Sequence, residues 1–204
     1  MEQKSSAMKL QEWRRELQEW HSLGEFSDKL RAMCAEHGRS LLTSPDSAFF
    51  RDAHPACQLA LLRGSTRVRL GADPPDFELD MAHGAREFEV AEADTPGRKR
   101  NDELKGRREL DASWLTPDVA EESLGARAAL KSDGRYPPGY GLLILLNLPN
   151  PWEEDWPAIE TRLLSATAAA KRRFAEVWVL WRGNAYTWLG GVPGSRVLRQ
   201  IEPS

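Results

Sequence analysis

The run GLLILLNL at 141–148 constrains the fold most. Five aliphatic residues follow one another from Leu142 to Leu146, with no polar alternation before Asn147. A strand with one wet face alternates apolar and polar side chains; a strand read as a continuous apolar run needs cover on both faces. The run is the longest apolar stretch of the chain and far too short to cross a bilayer. It is therefore expected as an interior, central strand of a sheet carrying helices. A chain of 204 residues with 41% hydrophobic content has enough apolar material to build such a core.

The remaining segments supply the partners. Leu10, Trp13, Leu17 and Trp20, at spacings of three and four, form the apolar stripe of an amphipathic helix ending near Gly24. That stripe packs either on its own domain or, with two tryptophans as anchors, on a partner such as a second copy. A second helix is expected over Phe26–His37, stopped by Gly38, and a third over Ser47–Leu62, with Pro55 kinking or restarting it. TRVRLG (66–71), DFELDM (76–81) and REFEVAEAD (86–94) read as strands. Helical segments follow at about 100–110 and 118–131, then GLLILLNL, then one long helix from Trp156 through Phe174 with Pro157 in its first turn. VWVLW, RGNA and YTWL read as a hairpin. This order predicts an α/β protein with a mixed central sheet flanked by helices, residues 1–46 being an N-terminal helical segment and 47–204 the α/β domain.

Composition removes several functions. The formal charge of −3 provides no global attraction to nucleic acid, so such binding has to come from a local patch. The N-terminal MEQKSSAMKLQEWRREL has no apolar core of a leader sequence, and with no spanning run a cytoplasmic, non-membrane protein is expected. Cys34 and Cys57 are not in CxxC spacing, and the four histidines are scattered, so a zinc site is not expected. Any metal would sit among oxygens. Most of the eight tryptophans fall on a helix stripe or in the hairpin, which reads as core; Trp114, Trp152 and Trp156 lie near loops. There is no GxSxG and no phosphate-cradling glycine loop.

Chemistry is concentrated between Asp73 and Arg108. Residues 73–94 carry eight carboxylates against one arginine, a local charge of −7, and residues 98–108 carry six cations against Asp102 and Glu103, a local charge of +4. Carboxylates at strand ends can hold a divalent cation, and cations beside them can hold a phosphodiester. Glu92 and Asp94, two apart in an extended segment, share a face that continues Phe88 and Val90, and Asp76 opens the preceding strand after a Pro-Pro turn. Asp73, Glu78, Asp80, Glu87 and Glu89 read instead as the solvent face of the strands. RKRNDELKGRR reads either as a solvated helix whose arginines pair with Asp102, Glu103 and Glu109, or as a phosphate-holding segment through Arg98, Lys99 and Arg100. Lys171, Arg172 and Arg173 end a helix, where cations meet its dipole favourably.

PPDFEL followed by REFEVAEAD resembles the PD-(D/E)XK, or restriction-endonuclease-like, nuclease superfamily over roughly residues 47–148. The motif's Pro-Asp falls on Pro75-Asp76 and its acidic part on Glu92-Ala93-Asp94. The resemblance implies a restriction-endonuclease-like core of helix, strands, helix and strand behind the N-terminal helices. It implies a Mg²⁺- or Mn²⁺-dependent nuclease acting on DNA, with Asp76 and Glu92 as metal ligands and Asp94 assisting. The motif lysine is replaced by Asp94, so Lys99 or Lys105 would supply it from the following segment, with Arg98, Lys99, Arg100 and Lys105 on nucleic acid. A second register takes Glu89 as the metal-binding acid and leaves Ala91 at the lysine position. Loss of the lysine also fits an inactive relative that binds nucleic acid or protein through the same surface. A third reading is an interaction module assembled through the N-terminal helix.

Overall fold

Serine and glycine punctuation decides where the first helices begin and end. The computed structural model describes residues 6–38, 40–72, 74–94, 116–148, 156–181, 184–189 and 192–197. The segment expected as a helix at 100–110 lies outside them. The described chain falls into two compact units that divide between Glu87 and Phe88.

In the first unit, α1 spans Ser6–Leu17 and buries Leu10 and Leu17. It ends before Trp20, short of the predicted Gly24, because Ser22 caps the next helix. The Ser22 hydroxyl accepts from Glu25 N at 3.3 Å and Ser22 N donates to Glu25 Oε2 at 2.9 Å, a reciprocal capping box. A cap residue needs non-helical backbone, here φ −58° and ψ 154°, so one continuous helix cannot pass through it. The chain instead extends into the short β1, His21–Ser22, and then enters α2, Leu23–His37. Lys9 and Trp13 both bond Glu36, and Lys29 bonds Glu16, tying α1 to α2. Gly38, at φ 53°, ends α2 as predicted.

α3 (Ser40–Thr43) and a 3₁₀ turn at Pro45–Ser47 lead to α4, Phe50–Arg63. Ser47 belongs to the turn and not to the helix, because its buried hydroxyl donates to Leu41 O at 2.8 Å. Pro55 sits buried inside α4 and does not restart it. β2 (Arg67–Leu70) pairs antiparallel with β1 and with β3 (Phe77–Met81). Strand alternation buries Val68, Leu70, Phe77 and Leu79 on one face, against which α4 packs.

β4, Gly84–Ala93, carries the chain into the second unit. There β4, β5 (Gly141–Leu146) and β6 (Glu176–Trp181) run parallel, while β7 (Asn184–Leu189) and β8 (Val192–Val197) are antiparallel additions, so the sheet is mixed. β5 lies between β4 and β6, the central place its sequence demands. Leu142, Ile144 and Leu146 join a core with Val177, Val179 and Trp181, under α5 (Pro117–Ser132), α6 (Trp156–Ala166) and α7 (Ala168–Arg173). Leu143, Trp178 and Leu180, on the opposite face, are buried too. Parallel pairing requires crossovers, and α5 to α7 fill them.

The helix predicted from Trp156 to Phe174 is two helices. Thr167 interrupts it: its hydroxyl donates back to Leu164 O at 2.8 Å and accepts from Trp188 Nε1 at 3.2 Å. A buried threonine holding the carbonyl three residues back favours a turn over continued α-helix. The VWVLW and YTWL segments form the predicted hairpin; β8, containing Pro193 and Gly194, was not anticipated.

Candidate functional site

The carboxylates from Asp76 to Asp94 separate by what each side chain meets. Asp76 precedes β3 and is half-buried; its carbonyl accepts from Gly71 N at 2.9 Å. Gly71 permits that closure, because a Cβ there would stand 1.9 Å from the Pro75 carbonyl oxygen, a backbone atom that cannot swing away. The turn thus holds Pro75-Asp76 at a defined place at the mouth of β3.

Glu78 and Asp80 do not face water unpaired. Register sets Arg69 opposite Glu78 and Arg67 opposite Asp80. Arg69 donates two bonds of 3.0 Å to the two oxygens of Glu78, and Arg67 Nε donates to Asp80 Oδ2 at 2.9 Å. Both guanidiniums also lie over the Trp20 ring, Arg67 at 5.3 Å and Arg69 at 4.7 Å from its centroid. The R-V-R of β2 thus neutralises the E-L-D of β3. This is the place of Trp20, which the stripe had assigned to the helix.

Glu89 is where the solvent-face expectation fails. It is 7% exposed, in the row of Leu142 and Val177 on the face covered by α5 and α7. Its Oε1 accepts from Lys131 Nζ and from Tyr136 OH, the latter at 3.2 Å. Its Oε2 is buried and has no hydrogen-bond partner among the described residues. A buried carboxylate costs several kcal/mol without compensation, and here one oxygen is compensated and one is not. Tyr136 is anchored by tilted ring contacts with Tyr140 and Phe174, at 6.2 and 5.2 Å between centroids. Burial, and next the Glu89 charge, push the Tyr136 hydroxyl above its ordinary pKa, so it stays a donor.

Glu92 and Asp94 lie at the other end of β4. Glu92 pairs in register with Leu145, is half-buried and is on the opposite strand face from Glu89; Asp94 follows the strand and is half-buried. At about 3.3 Å per residue, Glu92 is roughly 10 Å along the strand from Glu89, so the two registers describe different sites. Arg98, Lys99, Arg100 and Lys105 lie outside the described residues, as does Asp73.

Two residues escaped the sequence reading, Lys131 and Tyr136. A signal for Lys131 exists: Ala120, Leu124 and Ala128 form the buried stripe of α5, and Lys131 continues it by one step of three. A lysine on an apolar stripe marks a buried acid to be met. Tyr136 sits in the loop SDGRYPPGY, whose conformation no local pattern specifies.

No group of three or more His, Cys, Asp or Glu that could hold a metal ion occurs among the described residues. No helix among them is long and apolar enough to cross a membrane. Comparison of the chain with protein-family models, with curated proteins and with solved structures gives no match.

Proposed function

We propose that the chain is a magnesium- or manganese-dependent nuclease-like protein hydrolysing phosphodiester bonds in DNA, with Glu89 as its principal acid. The observation that carries this reading is Glu89 itself: a carboxylate buried in β4, one oxygen held by Lys131 and Tyr136, the other with no partner among the described residues. The donor chemistry fits a hard divalent ion, which takes carboxylate oxygens. Glu89 Oε2 would supply a ligand to it. When bound, such an ion supplies polarisation of a phosphoryl oxygen and a lowered pKa for an attacking water. Tyr136 orients the Glu89 carboxylate, and Lys131 brings to it the ammonium that the strand lacks at Ala91. In the resembled superfamily a lysine beside the acid positions the nucleophile, so a lysine supplied by α5 answers the missing motif lysine without Lys99 or Lys105. Glu92 and Asp94 remain the acids of the other register.

Calorimetric titration of Mn²⁺ into the protein and into Glu89→Gln and Glu92→Gln variants, with plasmid cleavage alongside, tests this. The expected result is binding and cleavage in the wild type and in Glu92→Gln, and neither in Glu89→Gln. Loss in Glu92→Gln alone moves the acid to the end of β4. A folded wild type that takes up no metal and cuts nothing overturns the nuclease reading and leaves Glu89–Lys131 a structural pair.

A further inference from the structure

The C-terminal end of α7 and the loop between α5 and β5 meet in a cationic surface that the nuclease motif does not include. Lys171, Arg172 and Arg173 are consecutive and exposed, and Arg135 is exposed in the loop. Arg173 Nη2 donates to the Tyr136 carbonyl, so the two segments are tied together at the residue whose hydroxyl bonds Glu89. Lys171 Nζ lies 3.9 Å from the centroid of the Trp188 ring. The helix dipole explains why cations are tolerated at the end of α7, but it does not account for Arg135, which lies on a different segment. Neither Arg135 nor Arg172 has a carboxylate partner among the described residues. The nearest acids in sequence are Asp133, exposed at the end of α5, and Glu176, whose Oε2 accepts from Trp178 Nε1 at 2.7 Å. Exposed guanidiniums with no carboxylate partner among the described residues, in a chain of net charge −3, make a local electropositive surface.

We infer that Arg135, Lys171, Arg172 and Arg173 form a phosphate-backbone contact surface for nucleic acid in the second unit. Guanidinium groups suit the bidentate geometry of phosphate oxygens, and such contacts position a polyanion without reading its sequence. Arg173 bonds the Tyr136 backbone and thereby fixes the surface relative to Glu89. The inference deepens the nuclease reading by naming a substrate-holding surface, yet it requires no metal and no cleavage.

Fluorescence anisotropy of a labelled mixed-sequence DNA duplex, titrated with protein in EDTA over a series of salt concentrations, tests it. The variants are Arg135→Ala, Arg172→Ala, their double variant and, as a control outside the surface, Arg31→Ala in α2; circular dichroism melts check their folding. The expected result is salt-dependent binding whose slope of log Kd against log salt falls by about 0.9 for each arginine removed and is unchanged in Arg31→Ala. Equal slopes in all variants, or no binding of the wild type, overturn the surface. Binding to phosphatidylserine vesicles, lost in the same variants while DNA is ignored, assigns it to a membrane and overturns it equally. EDTA keeps the two questions apart: a protein that binds DNA through these arginines in EDTA, and takes up no Mn²⁺ and cleaves nothing when Mn²⁺ replaces EDTA, refutes the nuclease reading alone.

Discussion

The two units solve the same problem, a carboxylate on a β-strand, in opposite ways. In the first, Glu78 and Asp80 each face an arginine directly across the β2–β3 ladder, and both oxygens of Glu78 are taken by the fork of Arg69. In the second, Glu89 is buried under helices and meets a single lysine with one oxygen. A run of acids on strands therefore says little about chemistry. What distinguishes a candidate site is incomplete satisfaction: in the ladder the charge is consumed where it arises, whereas Glu89 keeps a buried oxygen without a partner among the described residues.

The comparison breaks most visibly at Lys131. Lys131→Met removes the ammonium and leaves a buried carboxylate with only Tyr136, a loss expected to cost roughly 3–5 kcal/mol in urea denaturation. Adding Glu89→Gln removes the charge that needed compensation, so the double variant should recover much of that stability. Absence of coupling between the two substitutions would mean that the pair contributes nothing as a pair.

A second buried oxygen in the same unit sharpens the contrast, because its group stays neutral. Tyr186 is 3% exposed, and its hydroxyl has no hydrogen-bond partner among the described residues. Burial, and then the Glu160 charge, push its pKa up from 10.0 to about 12. The folded state thus holds this proton more tightly than the unfolded chain does. The contribution is fully present below pH 10 and is lost as pH rises through the window from 10 to about 12. Tyr186→Phe should flatten that alkaline decline by roughly 2–3 kcal/mol while changing stability little near neutrality. Denaturation midpoints followed across that range check it; an unchanged alkaline limb would place the hydroxyl in contact with water.

Much of the fold was legible because its signals are local or periodic. The unbroken aliphatic run of β5 demanded a covered central strand, Gly38 stopped α2, and the alternation in β2 and β3 fixed their faces. The misplacements came from hydrogen bonds that pattern does not weigh. Ser22 capped a helix inside an apolar stripe, and Thr167 bonded back to Leu164 inside a helical period. The candidate site was half legible. The resemblance puts its motif acids on Asp76 and Glu92 and reaches Glu89 only in a second register, while the strand pattern reads Glu89 as solvent-facing because polar residues on strands usually are. Its burial, and the Lys131 that meets it from a helix 42 positions away, exist only in the folded chain. Such a partnership is a property of tertiary packing, and the step of three that carries α5's stripe to Lys131 was its one trace in the sequence.

The smallest effect is expected in the ladder, and it makes the comparison quantitative. Arg67 and Asp80 form a cross-strand pair whose side chains are 52% and 28% exposed, so water screens both charges. Arg67→Ala leaves Asp80 with access to solvent, keeps Arg69 over Trp20, and removes one of two stacked guanidiniums. The expected loss is about 0.2–1 kcal/mol, diminishing further at high salt. Both variants remove a cation from a strand acid, and they differ in whether the stranded carboxylate can reach water. A cost for Arg67→Ala equal to that of Lys131→Met, measured under the same conditions, would show that burial is not what separates the two carboxylates, and the case for Glu89 over its neighbours would go with it.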